Sequence, residues 1–169
     1  MAIEIQTRQR MARILIADDS ELVRKSLKAL FADQEDGQVC GEASDGQQAI
    51  QLAKQLKPDL LILDIAMPVL DGFHAAAEIV KREPTLPIII YSLHESPQVE
   101  LEAKKVGARC VVSKGASSEL LLKAVREVTA QQTAKSVPDV LLGAPASSEA
   151  GVELSGDAKN ESDGQSEPN

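Results

Sequence analysis

The sequence predicts an α/β protein built on a doubly wound, five-stranded parallel sheet. Short apolar runs alternate with helical patterns five times along residues 13–132. The runs are mostly continuous rather than alternating with polar residues, which is typical of parallel strands buried on both faces. Because crossovers between parallel strands are right-handed, we expect the helices to cover both faces of the sheet.

The first two strands are each followed by a helix with a recognisable start. The first strand, residues 13–17, leads through Asp18 and Asp19 to Ser20, a residue type that often caps helix N-termini. The second strand is residues 38–43, and the helix after it starts near residue 46 and stops before Pro58. The apolar periodicity predicts inward faces made of Leu22, Val23, Leu27, Leu30 and Phe31 in the first helix and of Ala49, Ile50, Ala53 and Leu56 in the second.

The remaining three units repeat this plan. The predicted strands are residues 60–63, 86–92 and 108–113. The predicted helices are residues 73–82, 97–106 and 117–132, with turn residues between them and the strands. The last helix is expected to bury Leu120, Leu121, Ala124, Val125 and Val128.

Composition and charge narrow the function classes. The 169 residues carry a net charge of −8, which argues against a nucleic-acid-binding surface. Cys40 and Cys110 lie in apolar strands without metal-ligand spacing, so we expect reduced core cysteines. No apolar run is long enough to span a membrane, and the start lacks a signal sequence, which favours a cytoplasmic protein.

The two ends of the sequence differ from the middle. Residues 1–12 read as a loose extension, and Met11 is an alternative start. Residues 13–132 form the predicted domain, and residues 133–169 form an acidic tail whose polar composition predicts disorder. Val140, Leu141 and Leu142 are the tail's one apolar island, and a solvated segment is favoured there over a docking motif.

Polar residues close four of the predicted strands. Asp18 and Asp19 follow the first, Asp64 the third, Ser92 ends the fourth, and Lys114 follows the fifth. Ligands bind outside the carboxyl ends of the strands in open parallel sheets, so these side chains are expected to share one shallow crevice. Three close carboxylates beside one amine predict a Mg²⁺ site, with Mn²⁺ as an alternative ion.

These residues resemble the receiver domain of bacterial response regulators. The resemblance covers roughly residues 13–130 and rests on the Asp18-Asp19 pair, on Asp64 with the loop that follows it, on Ser92 and on Lys114. It implies the (βα)5 flavodoxin-like receiver fold. Residues 41–46 and 114–117 are more similar to the branch that usually carries a helix-turn-helix output domain, but no such pattern is found in the residues after the last helix.

The resemblance assigns a role to each site residue. Asp64 is the expected phosphoacceptor, in line with the nucleophilic carboxylates of aspartyl-phosphate chemistry. Asp18, Asp19, Asp64 and the backbone carbonyl of Ala66 would hold the magnesium ion. Lys114 and Ser92 would contact phosphoryl oxygens as charge moves onto them.

Weaker expectations concern the surroundings of the site. Pro68 and Gly72 would shape the loop after Asp64, with Gly72 serving either a positive φ or close packing. The resemblance implies that His94 and the Ala66 side chain tune water access. Val111 stands where the family usually has an aromatic switch residue, and Tyr91 is the candidate that takes over part of its role, although a packed strand tyrosine is the simpler interpretation.

The sequence thus predicts a single-domain response regulator. A histidine kinase or a phosphotransfer protein would supply the phosphate, and an unidentified protein would bind the surface of the fourth helix, fifth strand and fifth helix. We expect self-catalysed phosphoryl transfer but no dedicated enzyme activity, no direct nucleic-acid binding and no membrane insertion.

Three alternative functions fit the sequence less well. An aspartyl-phosphate phosphatase of the haloacid dehalogenase type would place an acid two residues after the nucleophile, where this chain has Ala66. A phosphorylation-independent scaffold would not need the complete acidic site. In a flavodoxin-like cofactor carrier, Asp18 and Asp19 would repel the cofactor phosphate.

Overall fold

The computed structural model describes residues 11–35 and 37–135, apart from the side chains of residues 133–135. Five strands and five helices alternate along this part of the chain. The strands are β1 (Ala12–Ala17), β2 (Gly37–Ala43), β3 (Leu60–Leu63), β4 (Ile88–Ser92) and β5 (Cys110–Ser113). The helices are α1 (Glu21–Ala32), α2 (Gly46–Leu56), α3 (Gly72–Arg82), α4 (Pro97–Lys105) and α5 (Ser118–Lys135). Residues 1–10 of the predicted extension (1–12) and residues 136–169 of the predicted tail (133–169) lie outside the described residues.

The predicted doubly wound parallel sheet is confirmed. Its strand order is β2-β1-β3-β4-β5, and each neighbouring pair is parallel. The order reverses at β1, which pairs with β2 on one side and with β3 on the other. Such a reversal opens a crevice at the carboxyl ends of the two central strands. The chain topology therefore places the residues after β1 and β3 side by side.

Strand alternation divides the core into two layers. On one face, Leu15 and Leu61 pack with residues of α2, α3 and α4. On the other face, Ile14 and Ile62 pack with residues of α1 and α5. Because each strand contributes apolar side chains to both layers, its sequence is continuously apolar, as the strand prediction assumed.

Several predicted boundaries shift by one to three residues, and β4 begins at Ile88 rather than at residue 86. Two of the shifts have identifiable reasons. β5 begins at Cys110 rather than at residue 108, because the N–H of Ala108 donates to the carbonyl of Ala103 at the end of α4. α5 continues to Lys135, beyond the predicted end. Gln132 anchors this last part, since its Nε2 donates to the carbonyl of Thr85 at 2.8 Å.

Two predictions of buried leucines were wrong. Leu22 is 75% exposed, because it lies on the side of α1 opposite the inward-facing Leu27 and Phe31. Leu120 is 49% exposed, whereas Leu122 is only 7% exposed and packs against the α1 and α5 side of the sheet. In each helix the misplaced leucine stands directly beside another apolar residue, Val23 in α1 and Leu121 in α5, so the sequence pattern left the edge of the buried face undetermined.

The cysteines are less deeply placed than predicted. Cys40 and Cys110 are both free and half-buried. Cys40 lies where the register between β1 and β2 shifts, and Cys110 lies on the edge strand β5. Burial raises the pKa of both thiols, so they are poor nucleophiles near neutral pH.

No helix in the described ranges is long and apolar enough to cross a membrane.

The corrected phase of α5 can be tested directly. Leu122→Ala is expected to lower the free energy of unfolding by about 2–4 kcal/mol, because it removes buried methyl groups and leaves a cavity. Leu120→Ala is the matched control, and its expected loss is below about 1 kcal/mol. Urea unfolding of both variants measures the difference, and equal losses would contradict the assigned phase of the helix.

Candidate functional site

The five predicted polar residues meet at one edge of the sheet. Asp18 and Asp19 follow β1, Asp64 follows β3, Ser92 ends β4, and Lys114 follows β5. One carboxylate oxygen from each of the three aspartates lies within 4.8 Å of the others. Asp18 and Asp64 are buried, whereas Asp19 is exposed. The strand order thus gathers residues that lie up to 96 positions apart in the sequence, from Asp18 to Lys114.

Lys114 links the two buried carboxylates. Its Nζ lies 2.6 Å from Oδ2 of Asp18 and 3.0 Å from Oδ2 of Asp64. Burial raises the pKa of Asp64, Lys114 opposes this rise, and the nearby charge of Asp18 adds to it, so the pKa stays above its ordinary value. Burial alone would lower the pKa of Lys114, but its contacts with Asp18 and Asp64 raise it. Lys114 is therefore a cation at neutral pH.

Asp18 directs a single oxygen into the crevice. Its N–H donates to the carbonyl of Ala43 at 3.0 Å, and its Oδ1 accepts from the N–H of Ser20 at 2.9 Å. Among the described residues, its buried Oδ2 has the close contact with Lys114 but no hydrogen bond of regular geometry. This oxygen is therefore available as a ligand for a further cation.

The donor set fits a divalent cation. Three carboxylates and one ammonium leave a local formal charge of about −2 when all are ionised. Mg²⁺ is a hard ion that prefers carboxylate and carbonyl oxygens. Asp18, Asp19 and Asp64 are the residues that would hold it. The Ala66 carbonyl as a further ligand stays a prediction.

The loop after Asp64 is held tightly against the start of α3. The N–H of Ile65 donates to Oδ1 of Asp64 at 2.8 Å, and the N–H of Gly72 donates to the carbonyl of Ile65 at 2.9 Å. A Cβ at Gly72 would overlap the carbonyl group of Asp64. Of the two roles considered for Gly72, the structure supports close packing, since its φ lies outside the positive region. Pro68 contributes a turn in which its carbonyl accepts from the N–H of Leu70.

Ser92 is buried and keeps its hydroxyl hydrogen for another acceptor. Its Oγ accepts from the N–H of His94 at 3.0 Å, so the oxygen is fixed from behind. Its carbonyl accepts from the N–H of Lys114 at 2.8 Å, which ties the ends of β4 and β5 together. His94 and Ala66 are both exposed, but their predicted effect on water access stays a prediction.

Tyr91 and Val111 lie on opposite faces of the sheet. Tyr91 packs with the α1 and α5 layer, and Val111 packs with the layer formed by α2, α3 and α4. Burial raises the pKa of Tyr91, while the charges of Lys114 and Asp18 act on it in opposite directions. Tyr91 therefore lies within electrostatic range of Lys114 and Asp18. Its role as a switch stays a prediction.

One residue beside the site was missed. Arg24 of α1 donates from Nη1 to the carbonyl oxygen of Asp18 at 2.7 Å. A contact with a main-chain carbonyl leaves no pattern of side-chain types in a sequence. The available signal was Glu42, an acid within the second predicted strand, which calls for a basic partner.

The comparisons with known proteins agree with this geometry. The family described as "Response regulator receiver domain" matches residues 14–126. Response regulator GacA of Pseudomonas aeruginosa is 32% identical over 122 residues, which cover 72% of this chain and 57% of GacA. The chain spans little more than half the length of this relative.

Solved structures are similar over the same part of the chain. The response regulator domain of Thermotoga maritima CheB has a TM-score of 0.67 and 32% identity, with 72% of this chain and 98% of that chain covered. A structure from Borrelia burgdorferi, described as the CheX-CheY-BeF3-Mg²⁺ complex, has a TM-score of 0.66 and 27% identity, with 69% of this chain and 88% of that chain covered.

The close packing at Gly72 gives a test of the loop. Gly72→Ala is expected to cost about 1–3 kcal/mol of stability, because the added methyl group must displace the main chain at Asp64. Gly115→Ala is the control, since a Cβ there meets only Ser113 Oγ at an ordinary contact distance of 3.5 Å. Thermal unfolding in the absence of metal measures both, and an unaffected Gly72→Ala variant would show that the loop is not constrained at this point.

Proposed function

The chain belongs to the response regulator receiver family of two-component signalling, and we propose that it accepts a phosphoryl group on Asp64 and signals by binding a protein. The observation that carries this proposal is the position of Asp64. Its buried carboxylate lies 3.0 Å from the Lys114 ammonium and has an oxygen within 4.8 Å of carboxylate oxygens of Asp18 and Asp19. A nucleophile in that position has both a cation and a candidate metal site beside it.

The proposed reaction is a direct phosphoryl transfer. A carboxylate oxygen of Asp64 forms a bond to phosphorus while the bond from phosphorus to the donor nitrogen breaks, and the donor imidazole leaves. The product is an acyl phosphate on Asp64. The Ile65 N–H on Oδ1 of Asp64 holds the carboxylate in place during the transfer.

Two side chains of the protein would stabilise the charge on the phosphoryl oxygens. Lys114 already lies 3.0 Å from Oδ2 of Asp64 and can contact an oxygen bonded to the phosphorus there. The Ser92 hydroxyl can donate to another oxygen, since the His94 N–H fixes its own oxygen. A bound Mg²⁺ would neutralise charge on phosphoryl oxygens. The similar Borrelia burgdorferi complex, whose description includes BeF3 and Mg²⁺, supports this choice of ion.

The proposed partners follow from the family. A histidine kinase or a phosphotransfer protein would donate the phosphate, which requires the site to face the cytoplasm. The target would be a protein bound at the surface of α4, β5 and α5, beside the edge strand that ends next to Lys114.

The competing functions are less well supported. Ala66 occupies the position where a haloacid dehalogenase-type phosphatase would have an acid, and the described loop from Asp64 to Gly72 offers only Asp71, which caps α3 instead. A phosphorylation-independent scaffold would not need a lysine paired with two buried carboxylates. We therefore propose phosphoryl transfer to the protein itself and no turnover of a separate substrate.

The proposal predicts a single labelled residue. Incubation with Mg²⁺ and acetyl phosphate is expected to add one phosphate to the wild type and none to Asp64→Asn, because the amide is not a nucleophile. Intact-protein mass spectrometry measures the addition, and removal of Mg²⁺ with a chelator is expected to prevent it.

The control for this experiment is Asp71→Asn. Asp71 is half-exposed at the start of α3, where asparagine also caps a helix, so this variant is expected to be labelled like the wild type. Labelling of Asp64→Asn to the wild-type level would contradict the assignment of the phosphoacceptor.

A further inference from the structure

Arg24 lies behind the acidic site and not in it. Its Nη1 donates to the carbonyl oxygen of Asp18 at 2.7 Å, and its side chain is only 16% exposed. On its other side, Nε lies 3.5 Å from Oε1 of Glu42 in β2. Arg24 therefore connects the end of β1 with the neighbouring strand β2.

This contact completes the restraints on Asp18. Its N–H, its carbonyl and its Oδ1 are bonded to Ala43, Arg24 and Ser20 respectively. Only Oδ2 is left to face the crevice. Three fixed points on one residue determine both the peptide plane and the direction of the carboxylate.

We propose that Arg24, held by Glu42, is a positioning residue that sets the Mg²⁺ affinity of the site through Asp18. Outer residues that orient a metal ligand often change metal affinity strongly without touching the ion. This inference rests on the proposed function, because it assumes that Asp18 belongs to a magnesium site.

The geometry favours this role over a simple surface ion pair. Glu42 has a second basic partner, Lys28, whose Nζ lies 2.7 Å from Oε2 of Glu42. The Lys28 side chain is 51% exposed, and within the described part of the chain its ammonium contacts only Glu42. Arg24 differs from Lys28 in two respects, since its side chain is only 16% exposed and it donates to the main chain of a candidate metal ligand. A guanidinium can make both contacts at once because its donors are arranged in a rigid fork.

The test is a calorimetric titration of Mg²⁺ into the full chain, without a phosphodonor. Arg24→Ala is expected to bind Mg²⁺ about tenfold more weakly than the wild type, at the low end of the range for lost outer-shell contacts. Arg24→Lys is expected to recover part of the affinity, because it restores one donor. Glu42→Gln is expected to weaken binding by a smaller factor, and Lys28→Ala is expected to bind like the wild type.

Labelling of Asp64 by acetyl phosphate is the second readout. Arg24→Ala is expected to need more Mg²⁺ for half-maximal labelling but to reach the wild-type level when Mg²⁺ is saturating. If Arg24 had only a structural role, Arg24→Ala would instead have a lower melting temperature. The molecules that stay folded would then reach half-maximal labelling at the wild-type Mg²⁺ concentration. If Arg24→Ala does not fold, Glu42→Gln compared with Lys28→Ala decides the question.

The outcomes separate this inference from the proposed function. Wild-type Mg²⁺ affinity in both Arg24→Ala and Glu42→Gln, or in Glu42→Gln alone if Arg24→Ala does not fold, would overturn the positioning role. A wild-type protein that binds Mg²⁺ but is not labelled on Asp64 would overturn the proposed function and leave the role of Arg24 intact. Weaker binding in Glu42→Gln that is matched by equally tighter binding in Lys28→Ala would also contradict the inference. The two substitutions change the surface charge in opposite directions, so the effect would then follow that charge alone.

Discussion

The ion-pair arrangement of Lys114 with Asp18 and Asp64 is the constraint on which the site depends. Two carboxylates are costly to bury side by side, and one ammonium at 2.6 Å and 3.0 Å compensates only part of that cost. The raised pKa of Asp64 reflects the remaining strain on its charged form. A bound divalent cation would compensate the remaining cost of burying the two carboxylates. The stability of the ionised site and its metal affinity therefore depend on the same electrostatic interactions.

The fold brings the charged side chains of the site together. The reversal of strand order at β1 brings Asp18 and Asp64 together, and the two strands beyond them add Ser92 and Lys114. Close packing at Gly72 fixes the main chain of Asp64, and Arg24 fixes the main chain of Asp18. Each acid is thus restrained from outside the crevice, and its Oδ2, which contacts Lys114, faces the crevice.

The sequence was sufficient where the physical rule is local to a strand end. The convergence of Asp18, Asp64 and Lys114 could be predicted because parallel strands bring their carboxyl ends to one edge. The sequence was insufficient where the outcome depends on the rotation of a helix about its axis or on a contact with the main chain. Adjacent apolar residues hid the edge of the buried face in α1 and α5, so Leu22 and Leu120 were misplaced. The contact of Arg24 with a main-chain carbonyl left no pattern of side-chain types.

The most direct test of the central claim is whether the acidic crevice binds one Mg²⁺ through its exposed acid. Asp19 is the ligand candidate that makes no contact with Lys114 in the structure, so Asp19→Asn removes a negative charge and leaves the ion pairs intact. Calorimetric titration should show one Mg²⁺ per wild-type chain and an affinity at least about tenfold lower in Asp19→Asn. An unchanged affinity in Asp19→Asn would contradict the account of this crevice as a metal site.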